Sequence, residues 1–482
     1  MKPESITVLN SVAIEGSSAC KTATMPYIKP FGPILGIFKI KITGFLALLF
    51  LIGQIQNTPF SSVAFASDAH ENGDSLLLDY RIDLPSAWAE VVIGEEISAL
   101  MEEALRSNPD ILEKKLELEA SGYDLDAAQW GRFPNLSLGL ETEDNGDNAL
   151  VARVEQPLWT GGQLSGQIDE AEAAQRVAIT ALDELMLRTL LEVATTYYEI
   201  QRLKARLRIS VINEDEHRRL LDIIKRRAAS EVSAGSDQVH AEARYFQASR
   251  GKIQSQRSLV EATNKLERLV TREVSTLASP KKIDFGSWTE ETLDSRAKEY
   301  SPSLKRLQAE VDVAVAKISL AKSGLRPRLV AGLKSSLSDD DRIDGYEDGV
   351  YVALRMQTGA GLSDFSASRA AASRKMASES ALLAQQQELK REISTLWAEY
   401  QGYSEQVDAV RSLSESTSEL VDSYLRQFQV GKKSWLDVLN AQREKTSASI
   451  AMADTEFPLM SIKIRILLLI GEIIPENVSQ KL

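Results

Sequence analysis

Side chains able to serve as nucleophiles, metal ligands or proton shuttles are thinly spread in this 482-residue chain, which holds three histidines and one cysteine. His217 and His240 stand singly within helical stretches and read as structural residues. Cys20 has no partner for an internal disulfide, and with the histidines it makes no ordinary Cys/His metal site. The phosphate loop GxxxxGKS/T, the zinc helix HExxH and the nucleophile elbow GxSxG are all missing from the sequence. Asp344-Gly345 has the step of a calcium loop, but with Asp340 as first ligand Tyr351 stands where the twelfth-position Glu belongs, so Asp339 to Asp348 reads as an external loop. Asn135-Leu136-Ser137 fits a glycosylation site, incidentally, because it falls in a strand. The sequence therefore indicates neither an enzyme nor a cofactor-binding protein. What remains of interest is charge: Arg153, Lys334 and Arg355 in stretches of alternating character, and Asp222 and Asp422, separated by 200 residues.

A duplicated unit positions these charges. Asn108-Pro109 through Gly131 and Pro134 to Gly139-Leu140 recurs at an offset of 193 as Ser301-Pro302 through Gly324 and Pro327 to Gly332-Leu333. Thr160-Gly161-Gly162-Gln163-Leu164-Ser165 matches Thr358-Gly359-Ala360-Gly361-Leu362-Ser363 at 198, and Asp237 to Glu242 matches Asp437 to Gln442 at 200. The drift implies one insertion of about five residues between Leu140 and Thr160.

Each copy opens with an amphipathic helix, Asn108 to Gln129 and Ser301 to Lys322, with Pro in its first turn and Gly131 or Gly324 as breaker. Strict alternation follows. Leu136, Leu138 and Leu140, then Leu150, Ala152 and Val154, fall on one face, opposite Ser137, Arg153 and Glu155. In the second copy Leu329, Ala331 and Leu333, then Val350, Val352 and Leu354, face away from Lys334 and Arg355. Strands of about 8 to 11 residues with one apolar face and one charged face fit a tilted membrane crossing. The acidic tips Glu143 to Asp147 and Asp339 to Gly345 suit solvent-facing loops. Four strands cannot enclose a lumen, so several chains must contribute. The rest is long helix, from Gln163 with a break expected at the polar run Asn213 to Glu216, and from Ser366 with a turn near Ser412 to Ser416. Each returns through a soft spot, at Ala234-Gly235-Ser236 and at Gly431. Asp237 and Asp437 read as caps on the return helices.

Composition fits this plan: 43% hydrophobic residues supply a core, and a net charge of −13 argues against a general nucleic-acid partner. Lys29, Lys39 and Lys41, the apolar run Phe45 to Ile52 and Ala64-Phe65-Ala66 form a secretory signal with a long leader, whose true start is Met1 or Met25. The expected divisions are a signal and leader over 1–66, an N-terminal segment over 67–97, a first repeat over 98–290, a second over 291–474 and a tail over 475–482. The first repeat contains a β-hairpin at 134–157 and a helical hairpin at 163–272; the second has them at 327–357 and 362–470.

Signal, duplicated units and junctions together resemble the TolC-like outer-membrane efflux protein family. Gln156-Pro157-Leu158-Trp159-Thr160-Gly161-Gly162 is similar to its strand-to-helix turn, the segments from Gly235 to Ala243 and Trp435 to Gln442 to its mid-helix motifs, and Leu468 to Glu472 to its ending. The resemblance implies a mainly α fold with β: as a homotrimer, a 12-stranded outer-membrane barrel continued by a periplasmic α-helical barrel. It implies no active site and no cofactor, with outer-membrane lipid, a periplasmic adaptor and an inner-membrane pump as partners. It also places Asp222 and Asp422 at an acidic periplasmic constriction, Arg153, Lys334 and Arg355 in the barrel lumen, and Thr160, Gly161, Gly162, Thr358, Gly359 and Gly361 in the two strand-to-helix turns. The second turn lacks the proline and aromatic of the first and is similar to the variant in members serving type I adhesin secretion, which favours that cargo and an ABC transporter. Small-molecule efflux with a proton-driven pump is the alternative. A periplasmic coiled-coil adaptor or scaffold is a second, although an adaptor has one helical hairpin rather than two complete units.

Overall fold

The computed structural model describes residues 94–142, 148–274, 277–278, 280–281, 283, 285–336, 349–357 and 359–473, all within one structural unit, Arg81–Leu482. The signal, its cleavage point, both acidic hairpin tips, Thr358 and the tail from 475 lie outside the described residues.

Two short helices, α1 (Glu95–Ser107) and α2 (Pro109–Trp130), lead into β1 (Asn135–Thr142) and β2 (Asn148–Trp159). A long helix α3 (Gln163–Ala229) then returns as α4 (Gly235–Val270). The second copy repeats the order as α5 (Glu290–Tyr300), α6 (Pro302–Ser323), β3 (Arg328–Ser336), β4 (Gly349–Arg355), α7 (Ser363–Gln429) and α8 (Trp435–Leu469). Local signals set the short helices. Asn108 and Ser301 cap α2 and α6, accepting from the backbone N–H of Asp110 and Leu304, and Pro109 and Pro302 occupy first-turn positions where a missing N–H costs nothing.

The long helices α3 and α7 have 67 residues each, about 100 Å at 1.5 Å per residue. This corrects the expected breaks. Asn213 to Glu216 and Ser412 to Ser416 are helical, and the chain turns at 230–234 and 430–434 instead. The polar residues at the first run serve a helix seam: Asn213 Oδ1 accepts from Thr446 Oγ1 at 2.9 Å, and Lys252 Nζ reaches the Glu214 carboxylate at 2.7 Å. Of the glycines read as soft spots, Gly431 lies in the second turn at φ 74°, and Gly235 is the first residue of α4. Ser434 and Asp437 form a capping box that starts α8, whereas α4 begins after Ala234 without a side-chain cap.

The structural offset between the copies is 193 up to the start of β3 and 200 from the long helices onward. The whole drift falls in the hairpin connections, 143–147 against 337–348, and is seven residues rather than about five. The strand-to-helix turns therefore align at 200 and not at 198. Gly161 and Gly162 have φ of 62° and 92°, and Gly361 and Leu362 have φ of 63° and 62°.

The four strands form one antiparallel sheet in the order β1-β2-β3-β4, so the two hairpins join through β2 and β3. Helices pack side by side as α2-α3-α6-α7 near the sheet and as α4-α3-α8-α7 toward the helical turns. Midway, Tyr197 donates to Glu96, whose carboxylate also takes the Ala278 N–H at 2.9 Å, tying α1 and the segment after α4 onto α3.

Candidate functional site

The register divides the sheet by polarity. Leu136, Leu138 and Leu140 stand opposite Val154, Ala152 and Leu150, and Leu333 joins the same face opposite Val154. Leu136, Leu138, Leu140 and Leu150, together with Val350, Val352 and Leu354 on β4, leave this face exposed and apolar. A row of partly exposed aromatics, Trp130, Phe133 and Trp159, marks the end nearest the helices, with Trp130 and Phe133 ring centres 4.9 Å apart. An apolar band edged by aromatics is the pattern of a lipid-facing β-surface.

The opposite face carries the charges. Arg153 pairs across the ladder with Ser137 on one side and Lys334 on the other, and Arg328 stands opposite Arg355. Glu155, Gly332 and Tyr351 share one cross-strand row. Glu155 accepts from Arg355 Nη1 and Nη2 at 2.9 and 2.7 Å and from the Tyr351 hydroxyl. Gly332 makes this possible, because a Cβ there would meet Tyr351 Cζ and lie 2.6 Å from its Oη and 2.8 Å from its Cε1. Arg153, Lys334 and Arg355 are thus brought onto one face. The bridge over Gly332 was not anticipated, since it depends on β2 pairing with β3. A signal was available: Glu155 and Arg355 are equivalent positions at the repeat offset of 200.

The strand-to-helix turns close on the same end of the sheet. Thr160 Oγ1 accepts from the Leu164 N–H at 3.2 Å, and Arg326 Nη1 donates to the Gly161 carbonyl at 3.2 Å. Gly161 is required twice over, by its positive φ and because a Cβ would sit 2.8 Å from the Pro327 carbonyl oxygen. In the second turn the Asp364 carboxylate accepts the Gly359 N–H at 2.9 Å, and Gly361 with Leu362 supplies the left-handed pair.

At the far end, Leu220, Leu221, Ile224, Ala241, Phe428, Val438 and Leu439 form a cluster that gathers the tips of both helical hairpins. Asp222 and Asp422 lie two turns before the ends of α3 and α7, exposed and beside this cluster. They precede the hairpin turns, whereas the sequence placed them after breaks that do not exist. Among the described residues neither forms an ion pair. A recess of about 520 Å³ opens between α3, α4 and α8, lined by His217, His240, Arg244, Asn440 and Arg443 among others. His217 is buried with Nδ1 unpartnered, and burial with Arg244 nearby lowers its pKa. His240 stands edge-on to Trp435 at 5.6 Å.

An apolar-faced sheet seated on helices of this length defines a transport protein of the outer membrane with a large helical part in the periplasm. A model of the outer membrane efflux protein family matches residues 100–272 and 293–472, and the chain belongs to that family, one of transport proteins rather than enzymes. No curated protein sequence matches it. Among solved structures it is similar to the outer membrane protein VceC of Vibrio cholerae, at 14% identity and a TM-score of 0.69 over 80% of this chain and 99% of that one. A membrane protein of Pseudomonas aeruginosa gives 18% identity and 0.69 over 80% and 92%. The CmeC outer membrane channel of Campylobacter jejuni gives 11% and 0.67 over 88% and 95%.

Proposed function

We propose that three copies of the chain close into a twelve-stranded barrel and a twelve-helix tunnel, which passively export small solutes delivered by a periplasmic adaptor and a proton-driven inner-membrane pump. The observation that carries this reading is a pair of unmatched edges. On α4, an edge helix packed against α3, Val239, Phe246, Ile253 and Val260 recur every seven residues and are 52 to 67% exposed. Nearer the sheet, where α2 and α7 are the two edges, Leu116 and Tyr123 on α2 and Met376 and Leu383 on α7 are likewise exposed and seven apart. Heptad spacing is the pattern of a coiled-coil seam, and two different edges that fit each other generate a closed ring. The edge strands β1 and β4 ask for the same closure. Arg153, Lys334 and Arg355 then line the barrel, Asp222 and Asp422 the periplasmic constriction, and the recess between α3, α4 and α8 receives the adaptor.

Efflux is favoured over adhesin secretion, and with it a proton-driven pump over an ABC transporter, because the family match is to efflux proteins. The second strand-to-helix turn, which had favoured adhesins, makes the same pair of left-handed residues as the first and reads as a helix start rather than a cargo contact.

Outer-membrane extracts should contain a heat-sensitive trimer that conducts ions in planar bilayers and copurifies with a crosslinked adaptor. A soluble periplasmic monomer would sink the channel reading in favour of a scaffold. Asp222→Ala with Asp422→Ala should lower cation selectivity or cation block with trimers intact; unaltered selectivity would remove both residues from the constriction. Cells carrying the complete machine should extrude a small fluorescent solute, and export of a polypeptide alone would restore the adhesin reading.

A further inference from the structure

The chain is acidic, with 69 Asp and Glu against 56 Lys and Arg, yet the inward face of its sheet is not. Arg153 faces Lys334 and Arg328 faces Arg355 directly across the ladder. Like charges in such positions call for compensation, and in the second pair Arg355 receives it from Glu155. Among the described side chains, the carboxylate on this face is that of Glu155, and it is engaged by Arg355 and Tyr351. Where the sheet meets the helices, Arg326, Arg328 and Arg355 converge with Gln163, Gln167 and Gln357 around a recess of about 350 Å³ that no described carboxylate lines. Arg326 is held by the Gly161 carbonyl and Arg355 by Glu155. Half-buried Arg328 has no hydrogen bond or ion pair among the described residues. A guanidinium kept in place without a partner, beside amide donors, is suited to a carboxylate, which takes two parallel N–H bonds from it.

We propose that the barrel lumen is an anion filter and that the recess around Arg328 is a binding step for carboxylate-bearing solutes, with Arg328 as a specificity-determining residue. This rests on the trimeric channel reading, which sets three such recesses around one lumen where barrel meets tunnel. Anionic cargo leaving the acidic periplasmic neck would then meet a favourable site before release, as conduction requires binding strong enough to enter and weak enough to leave.

The test uses purified full-length trimers in planar bilayers, with citrate added from the barrel side so that the block reports on the barrel and not on the periplasmic neck. Citrate should block the current, and hexaamminecobalt from that side should not. Arg328→Gln removes three charges per trimer; for charges about 10 Å from a trivalent anion and screened over about one Debye length, the half-blocking concentration should rise about tenfold. Arg328→Lys, which keeps the charge and loses the fork, should recover only part of the block. Absence of citrate block in the wild type, equal block in Arg328→Gln, or block by the cation instead would each overturn the inference while leaving the channel intact. Trimers that conduct no ions would overturn the channel reading and this inference with it.

Discussion

Gly332→Ala should weaken the sheet through Tyr351, nineteen positions away in sequence. The added Cβ would stand 2.6 Å from Tyr351 Oη, so the ring must leave the groove that glycine provides and give up its bond to Glu155. A hydrogen bond to a charged acceptor contributes about 1.5–3 kcal/mol. The lower end applies here, because the Glu155 and Arg355 side chains are 27% and 45% exposed. Repacking the displaced ring adds about 1 kcal/mol, and replacing a strand glycine by alanine returns about 0.5 kcal/mol. The single variant should thus lose about 2 kcal/mol per chain, and Tyr351→Phe, which removes the hydroxyl alone, about 1.5 kcal/mol. Gly332→Ala with Tyr351→Ala is the decisive variant. With the ring gone there is nothing to clash with, so the double substitution should be no worse than Tyr351→Ala, a coupling of about 2 kcal/mol. Urea titration of the detergent-solubilised protein measures all four. Costs that simply add would refute the account of Gly332 as the space for Tyr351.

Two further outcomes follow from the helical part. Phe428→Ala should remove about 3 kcal/mol from the cluster at the hairpin tips, together with the stacking of Arg227 at 5.3 Å from the ring, and raise channel conductance by loosening the entrance; an unchanged conductance in destabilised trimers would detach the cluster from gating. Burial raises the Asp183 carboxyl to about 6, with Lys305 opposing. Because the folded value lies above the unfolded one, its contribution to stability is full below pH about 4 and is lost as pH rises through 6, by up to about 3 kcal/mol. Asp183→Asn should therefore stabilise the protein at pH 7 and flatten urea midpoints between pH 4 and 6, and an equal slope in both proteins would place the titrating group elsewhere.

Much of the architecture was legible because it rests on local rules. Asn108-Pro109 and Ser301-Pro302 fix helix starts within a residue, and the change from helical to twofold periodicity after Gly131 and Gly324 announces the strands. The misplaced hairpin turns show where local rules fail. In a single layer of helices wetted on both sides, polarity does not distinguish a loop from a seam, so Asn213 and Glu214, bonded to Thr446 and Lys252 in neighbouring helices, read as a break. The true turns at 230–234 and 430–434 offer weaker signals, including Glu231 in a left-handed conformation at φ 55°. The charged face follows the same division. Alternation put Arg153, Lys334 and Arg355 on one side of their strands, but which cations meet depends on β2 joining β3 across the repeat boundary, a register that no single hairpin encodes. Duplication is what makes that register recoverable. Two copies of one unit joined edge to edge bring equivalent positions into one neighbourhood, so a carboxylate in the first copy and a guanidinium at its equivalent in the second, as at Glu155 and Arg355, are placed to bond across the seam. The same joining in a ring of chains would set β4 of one copy against β1 of the next.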